Sequence, residues 1–293
     1  MAIHNHLLSQ IKIGSGDFVV DVGGGHRPFH RADLVVEKFP FDSDLHRSQP
    51  VMFPDAPLVI ASAENLPIAD QSCDLLFSSH CIEHLPDPPQ FIEEIKRCAK
   101  SVYLEFPSRR LEMMFAWNFH PWLIEVEGTR LICYRNDVPQ FFGDMFHKEY
   151  DAAIGAWGEL HHEELNTSLY CNTSELECVI SEETAIEMLV RTSPRGQDRV
   201  NMSLPVSRPR YSLRHVLALA AQSYLPRSVY DWLQKPRRFK TTPTDLSLDI
   251  LPNLRCLECN KSDLAPKNET LVCSCGAIYA RDRGVLDFDH ILH

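Results

Sequence analysis

The sequence predicts an α/β fold: a doubly wound parallel sheet in the first half of the chain, an inserted α+β cap region, and a small C-terminal module. Three observations carry that expectation. Short apolar stretches alternate with polar or amphipathic ones over the first hundred residues, as in parallel strands covered on both faces. The first apolar stretch runs straight into a glycine turn, Gly23-Gly24-Gly25. Four cysteines near the C-terminus form two close pairs, Cys256/Cys259 and Cys273/Cys275. A chain of 293 residues has room for one large domain and one small one. We place the boundary between residues 245 and 246, with a core at 14–107 and the cap region at 108–240.

Taken in order, Asp17–Val22 is the first strand, and its glycine turn is expected to open into a helix, for which Pro28 is a natural first residue. Ala32–Val36, Pro57–Ala61, Cys73–Ser78 and Ser101–Phe106 are the next four strands. Between the last two, Pro88–Ala99 places Phe91, Ile92, Ile95 and Cys98 at helical spacing. Beyond Pro107 the pattern loosens. Trp122–Val126 and Arg130–Tyr134, joined around Glu127-Gly128-Thr129, predict a hairpin, and Asn166–Ile180 predicts further strands. Arg214–Gln222 and Arg227–Gln234 predict short helices, and Lys235–Asp245, with two prolines and three threonines, a linker.

Composition is that of an ordinary globular chain, with 44% hydrophobic and 24% charged residues. A net charge of −11 argues against general nucleic-acid binding, which needs a basic surface. The N-terminus lacks a basic region followed by an apolar core, and the best apolar run, Val216–Ala221, is far shorter than a membrane span. A cytoplasmic protein is therefore expected, and clustered cysteines there read first as metal ligands. Charge is unevenly spread: Leu189–Lys240 carries eleven Lys/Arg against Asp198 and Asp231. With Tyr211, Tyr224, Tyr230 and Trp232 interleaved, residues 208–240 suit an anionic acceptor or a peripheral contact with the inner face of a membrane. The plainer alternative is a packed helical cap whose arginines balance an acidic core.

The glycine turn is a device for bringing backbone close to a ligand. A dinucleotide site would favour a third glycine where Pro28 stands. Glu37, at the end of the second strand, is placed to accept hydrogen bonds from two ribose hydroxyls. Next come Ala61-Ser62-Ala63-Glu64-Asn65-Leu66-Pro67 leading to Cys73–Leu76, and then Ser79-His80-Cys81-Ile82-Glu83-His84-Leu85-Pro86-Asp87-Pro88. In order and spacing, Asp21 to Phe106 resembles the core of class I S-adenosylmethionine-dependent methyltransferases, the type 11 group, whose fold is Rossmann-like. The resemblance implies roles: Asp21, Gly23, Gly24 and Gly25 around the methionine end of S-adenosylmethionine, and Glu37 on its ribose. Ser62, Ala63 and Glu64 would flank the adenine, with Ser79 and His80 beside the methyl. The family usually has Asp where this chain has Ser62, and Glu64 is the carboxylate placed to compensate.

Methyl transfer is a direct displacement, so a general base is needed only when the acceptor must lose a proton. His80, His120 and His147 are the candidate bases, each weighed against an ordinary structural role. His80-Cys81-Ile82-Glu83-His84 also fits the H-x-x-E-H pattern of zinc proteases, but Pro86 and Pro88 cut short the helix that chemistry needs. Gly23–Asp33, Asp44–Arg47 and Glu105–Ser108 resemble bacterial methyltransferases from surface-glycan and natural-product gene clusters, which implies a sugar, lipid-linked glycan or other small-molecule acceptor. Two alternatives stay open: an RNA or protein methyltransferase that uses the C-terminal module to bind its partner, and a catalytically weak cofactor-binding adaptor. The Asn/Asp-Pro-Pro-Tyr/Trp pattern of base and glutamine methylation is absent after the fourth strand, where Ser78-Ser79-His80-Cys81 stands.

Cys256-x2-Cys259, thirteen residues, then Cys273-x-Cys275 offers four thiolates at the spacing of a closed, structural zinc site. Leu271–Phe288 resembles the small zinc-ribbon activator of tRNA and protein methyltransferases, with Cys-x-Cys in place of the usual Cys-x2-Cys. The other six cysteines, Cys73, Cys81, Cys98, Cys133, Cys171 and Cys178, read as core.

Overall fold

The computed structural model describes residues 11–25, 28–41, 53, 55–139, 162–193 and 242–292. Five short strands form its centre: β1 (Val19–Val22), β2 (Leu34–Glu37), β3 (Leu58–Ile60), β4 (Cys73–Ser79) and β5 (Ala99–Pro107). They lie parallel in the order β3-β2-β1-β4-β5. β1 and β3 are buried at every position, the continuous apolar pattern of strands covered on both faces. The order reverses between β1 and β4, and in such sheets ligands bind at the carboxyl ends beside that point.

Helix α1 (Pro88–Cys98) joins β4 to β5. Prolines at its first two positions cost no hydrogen bond, and the Asp87 carboxylate accepts the Gln90 N–H at 3.2 Å. Its apolar face buries Phe91, Ile92, Ile95 and Cys98 against the sheet.

The helix expected after the glycine turn does not form: residues 28–33 are coil and turn. The Asp21 carboxylate takes the Phe29 N–H at 2.6 Å, and Ala32 N–H closes a turn on the Phe29 carbonyl at 3.0 Å. Asp33 N–H then bonds the Val19 carbonyl at 2.8 Å, so the chain is already back beside β1. Phe29 covers the sheet instead, stacked on Phe77, which stacks on Tyr103. Among the described residues only α1 links two neighbouring parallel strands as a helix.

The hairpin is present as β6 (Trp122–Glu127) and β7 (Arg130–Arg135), antiparallel, with Gly128 at φ +65° in its turn. Ser108 caps α2 (Arg109–Phe115) just before it. A helical turn, α3 (His162–Leu165), leads to β8 (Asn166–Asn172), and β9 (Glu177–Thr184) precedes α4 (Ala185–Thr192). The strands expected at 166–180 separate: β8 pairs antiparallel with β5, whereas β9 joins the hairpin, parallel to β7. The helices expected at 214–222 and 227–234, the basic stretch 208–240, His147 and most of the 235–245 linker lie outside the described residues.

The C-terminal segment adds β10 (Ala265–Lys267), β11 (Thr270–Val272), β12 (Ile278–Asp282) and β13 (Val285–Leu292) in an antiparallel meander. Arg283 at φ +47° and Gly284 at φ +89° make the turn between the last two. β13 then pairs parallel with β3, Leu286 opposite Val59 and Asp287 opposite Ile60. The sheet of the described residues is thereby extended to ten strands, order β10-β11-β12-β13-β3-β2-β1-β4-β5-β8. No described helix is long and apolar enough to cross a membrane.

Candidate cofactor and metal sites

Four loops meet at the carboxyl ends of β1 to β4. Gly23 sits at φ +74°, and a Cβ there would lie 2.6 Å from Cys81 Sγ, so the turn after β4 packs directly on the glycine loop. A Cβ at Gly24 would collide with the Asp21 carboxylate and stand 2.9 Å from Pro28 Cα. Gly25 N–H donates to Glu37 Oε2 at 3.0 Å, and Phe39 N–H to Glu37 Oε1 at 3.2 Å. That ties the glycine loop to the end of β2. Lys38 Nζ lies 3.5 Å from Ser62 Oγ, which carries the connection on to the loop after β3. Hydrogen bonds thus link Gly25 to Glu37, Lys38 to Ser62 and Ser62 to Glu64, so the loops carrying the predicted cofactor residues adjoin one another.

Asp21 is fully buried at the end of β1, and its Oδ1 has no hydrogen-bond partner. Burial chiefly, with the Glu37 charge adding to it, pushes its pKa up to about 7 against the Phe29 N–H. On the adenine side Glu64 is engaged already: its Oε1 accepts the Asp87 N–H at 2.7 Å ahead of α1. A carboxylate the sequence reading missed stands nearer Ser62. Asp289 of β13 accepts the Ser62 N–H at 3.0 Å.

At the end of β4, Ser79 and His80 face a second group of polar side chains. His80 takes φ +54°, a left-handed backbone that a non-glycine residue adopts at a cost. Its Nδ1 lies 3.2 Å from Glu83 Oε1 and its Nε2 3.9 Å from Glu105 Oε1. Glu105 is buried in β5 and holds the Ser79 hydroxyl, the Tyr103 hydroxyl and His162 Nε2 at 2.9, 2.8 and 2.9 Å. Glu105, Glu83, Tyr103 and His162 escaped the search for bases. The one sequence signal was an acidic residue inside the otherwise apolar run Val102–Phe106.

His120 lies on the far side of Glu83 and His84, buried, with its Nδ1 2.6 Å from Glu112 Oε1. Burial above all, and the nearby Glu83 charge, raise Glu112 to about 8. Asn136 bridges Glu112 and the His120 carbonyl, and borders an open cleft of about 630 Å³ lined also by Pro86, Trp122, Arg135 and Ile180.

In the C-terminal segment, one Sγ from each of Cys256, Cys259, Cys273 and Cys275 lies within 4.8 Å of the others. Cys256 is 3.7 Å from Cys275 and Cys259 3.4 Å from Cys273. Four sulfurs about 2.3 Å from a shared tetrahedral centre stand at nearly that separation. Burial opposes ionisation of Cys256, but the Tyr279 hydroxyl and the N–H groups of Cys259 and Glu258 bring it down to about 7. Of the remaining cysteines, Cys73, Cys98, Cys133 and Cys171 are buried and Cys81 and Cys178 half-buried.

Comparison with known proteins bears on the parallel core. The family described as "Methyltransferase domain" matches residues 32–102, from the start of β2 into β5. Over that stretch the chain is similar to methyltransferase domains. Solved structures similar to it include an S-adenosylmethionine-dependent methyltransferase from Mesorhizobium loti, 16% identical over 57% of this chain and 95% of that one, TM-score 0.34. Another is the Haloferax volcanii complex of the Trm112 methyltransferase activator with a putative methyltransferase, 17% identical over 47% and 73%, TM-score 0.32. A third is a putative methyltransferase from an antibiotic biosynthesis pathway of Anabaena variabilis, 22% identical over 39% of this chain and 51% of that one, TM-score 0.30. Likeness at that level does not extend to function. No curated protein matches the chain.

Proposed function

We propose that the protein is an S-adenosylmethionine-dependent methyltransferase acting on a sugar, lipid-linked glycan or other small-molecule acceptor. The observation that carries this reading is Asp21 Oδ1: a buried carboxylate oxygen without a partner, at the mouth of a glycine loop where side chains would not fit. A buried acceptor of this kind is costly unless a ligand supplies the donor. The ammonium of a bound amino-acid group would do so, and the match of 32–102 to a methyltransferase domain supports a methyl donor carrying such a group.

When bound, S-adenosylmethionine supplies a sulfonium methyl already activated for displacement. The chain's part is to hold and to exclude water. Asp21 accepts from the ammonium, Glu37 from the ribose hydroxyls, and Ser62, Ala63 and Glu64 flank the adenine. Asp289 adds a charge that Ser62 lacks. His80, in its strained backbone beside Ser79, takes the proton of an acceptor hydroxyl, and Glu83 and Glu105 stabilise the imidazolium. His120 is committed to Glu112 and is the weaker candidate. Arg135 in the neighbouring cleft offers a cation to an anionic acceptor. In the same reading 246–293 is a zinc ribbon, its metal held by Cys256, Cys259, Cys273 and Cys275, and 108–240 is the cap over the acceptor.

Calorimetry of the pure protein with S-adenosylmethionine and its demethylated product tests the core of this. Binding that disappears in Asp21→Ala is expected, and no binding to wild type overturns the assignment. Labelled cofactor incubated with fractionated lysate then reads the acceptor. Label among small glycans is expected; label in RNA or protein overturns that choice, and none at all favours the adaptor.

A further inference from the structure

A second set of metal-ligand side chains lies between the crevice and the hairpin. A carboxylate oxygen of Glu83 and one ring nitrogen each from His84 and His120 lie within 4.8 Å of one another. Glu83 and His84 are neighbours in the 3-10 turn that follows β4, and His120 comes from the loop before β6. Glu83 is 1% exposed, its Oε1 rests against His80, and its Oε2 has no hydrogen-bond partner. An ionised carboxylate so enclosed needs a positive charge close by. Glu112, also 1% exposed, adds a second buried carboxyl to the same pocket.

The imidazoles are arranged to suit. Glu112 holds His120 Nδ1 at 2.6 Å, the carboxylate-to-histidine contact that orients a metal-binding ring and strengthens its other nitrogen as a donor. His84 packs edge-on to His120, centroids 4.5 Å apart, and face-to-face with Phe119, yet remains open to solvent on one side. Two imidazoles and one carboxylate with an open side suit a first-row divalent ion that keeps exchangeable positions. The H-x-x-E-H pattern does not act here as in a protease, because residues 82–84 make a single 3-10 turn. The turn nevertheless places Glu83 and His84 together, and the chain supplies His120 as the third group.

We propose that Glu83, His84 and His120 bind one first-row divalent metal ion, with Glu112 positioning His120. This assignment does not rest on the methyltransferase reading or on the four-cysteine cluster, although Glu83 also faces His80. The full-length protein is equilibrated with Zn2+, dialysed against a mild chelator until one Zn2+ per chain remains on the thiolates, and titrated with Co2+. One further equivalent is expected, with weak visible d–d bands and no thiolate charge-transfer absorption. His84→Ala, at a solvent-exposed position that leaves the fold intact, and Glu83→Gln should each weaken it at least tenfold. Glu112→Gln should weaken it by about tenfold to a hundredfold while leaving the band positions unchanged. Absence of those bands in wild type overturns the proposal. So do titrations of His84→Ala and Glu83→Gln that superimpose on the wild type.

Discussion

The two edges of the parallel core are closed by later chain in opposite ways. At the β5 edge, β8 forms seven antiparallel pairs, from Ser101 opposite Asn172 to Pro107 opposite Asn166. At the β3 edge, β13 forms two parallel pairs. The second edge adds a short antiparallel bridge, Ile68 opposite Leu254, with Ala69 N–H on the Asn253 carbonyl at 2.8 Å and Arg255 N–H on the Pro67 carbonyl at 3.1 Å, and relies beyond that on side chains. The Arg255 guanidinium reaches Glu94 at 3.0 Å, the Leu66 carbonyl at 3.1 Å and Asn65 at 3.3 Å. Arg283 lies over the Phe41 ring at 3.8 Å, and Val285 packs with Val35, Phe53, Leu58 and Ile60. Backbone pairing survives the loss of one side chain and side-chain anchoring does not. With fewer backbone pairs than β8, the C-terminal segment is the more separable closure, and it is the one that touches the Ser62 loop.

The largest effect expected from this contrast comes from the four cysteines. A segment this short has little core of its own, and structural zinc commonly contributes on the order of 10 kcal/mol to such a fold. Replacing Cys256 and Cys259 by Ser should release one metal per chain and speed hydrogen exchange throughout β12 and β13. Protection in β5 and β8 should persist, because their ladder does not pass through the segment. Equal loss at both edges would abolish the distinction.

Next in size is Arg255→Ala. Arg255 and Glu94 are each 8% exposed at the side chain, and truncating one partner of a buried pair costs about 3–5 kcal/mol. Arg97 still holds Glu94 at 2.8 Å, so about 2 kcal/mol is expected here, read as a lower urea midpoint with unchanged metal content. Arg255→Lys should recover only part of it, since a single ammonium cannot reproduce the guanidinium fork.

The opposite edge answers differently. His162, 13% exposed at the side chain, is one of several partners of Glu105, whose carboxylate keeps the Tyr103 and Ser79 hydroxyls when His162 is lost. His162→Ala should shift stability by less than about 1 kcal/mol, because seven backbone pairs hold β8 in place. Turnover on a hydroxyl acceptor should fall by about tenfold to a hundredfold, through the weakened Glu105–His80 pairing. A variant that unfolds as readily as it loses activity would show that this edge, too, is anchored by side chains.

Legibility followed the same division. The parallel strands, α1 and the hairpin were readable because their signals are local: an apolar run, a 3.6-residue period, a glycine between two β-rich stretches. The four cysteines were readable from spacing alone. The glycine turn was readable because one loop, Asp21 to Gly25, supplies all of its groups. What escaped depends on pairing between distant segments. Nothing near Asp289 or Arg255 announces the 227 and 161 residues that separate them from Ser62 and Glu94. Glu105 and His162 likewise meet only once β8 joins β5. The helix after Gly25 was misread because Pro28 fits a first helical turn, whereas the Asp21 carboxylate captures the Phe29 N–H and ends the segment as a turn.

Asp21 lies in the central strand between the two edges, and both signs of its pH response follow from one pKa. The unfolded carboxyl ionises near 3.8 and the folded one near 7, because burial disfavours the charge. As pH climbs from about 4 to about 7 the unfolded chain gives up this proton first, so the free protein loses stability across that window and the loss is complete above 7. Cofactor binding runs the other way. A cationic amino-acid group favours the ionised carboxylate, so affinity for S-adenosylmethionine should rise from pH 6 towards pH 7 by up to about tenfold and level off by pH 8. Calorimetry at pH 6.5 in two buffers of different ionisation enthalpy should detect proton release on binding. Asp21→Asn should bind weakly, with no pH dependence and no released proton. An affinity that stays flat from pH 6 to 8 in wild type would mean that Asp21 meets no cation, and that the orphaned oxygen serves the fold alone.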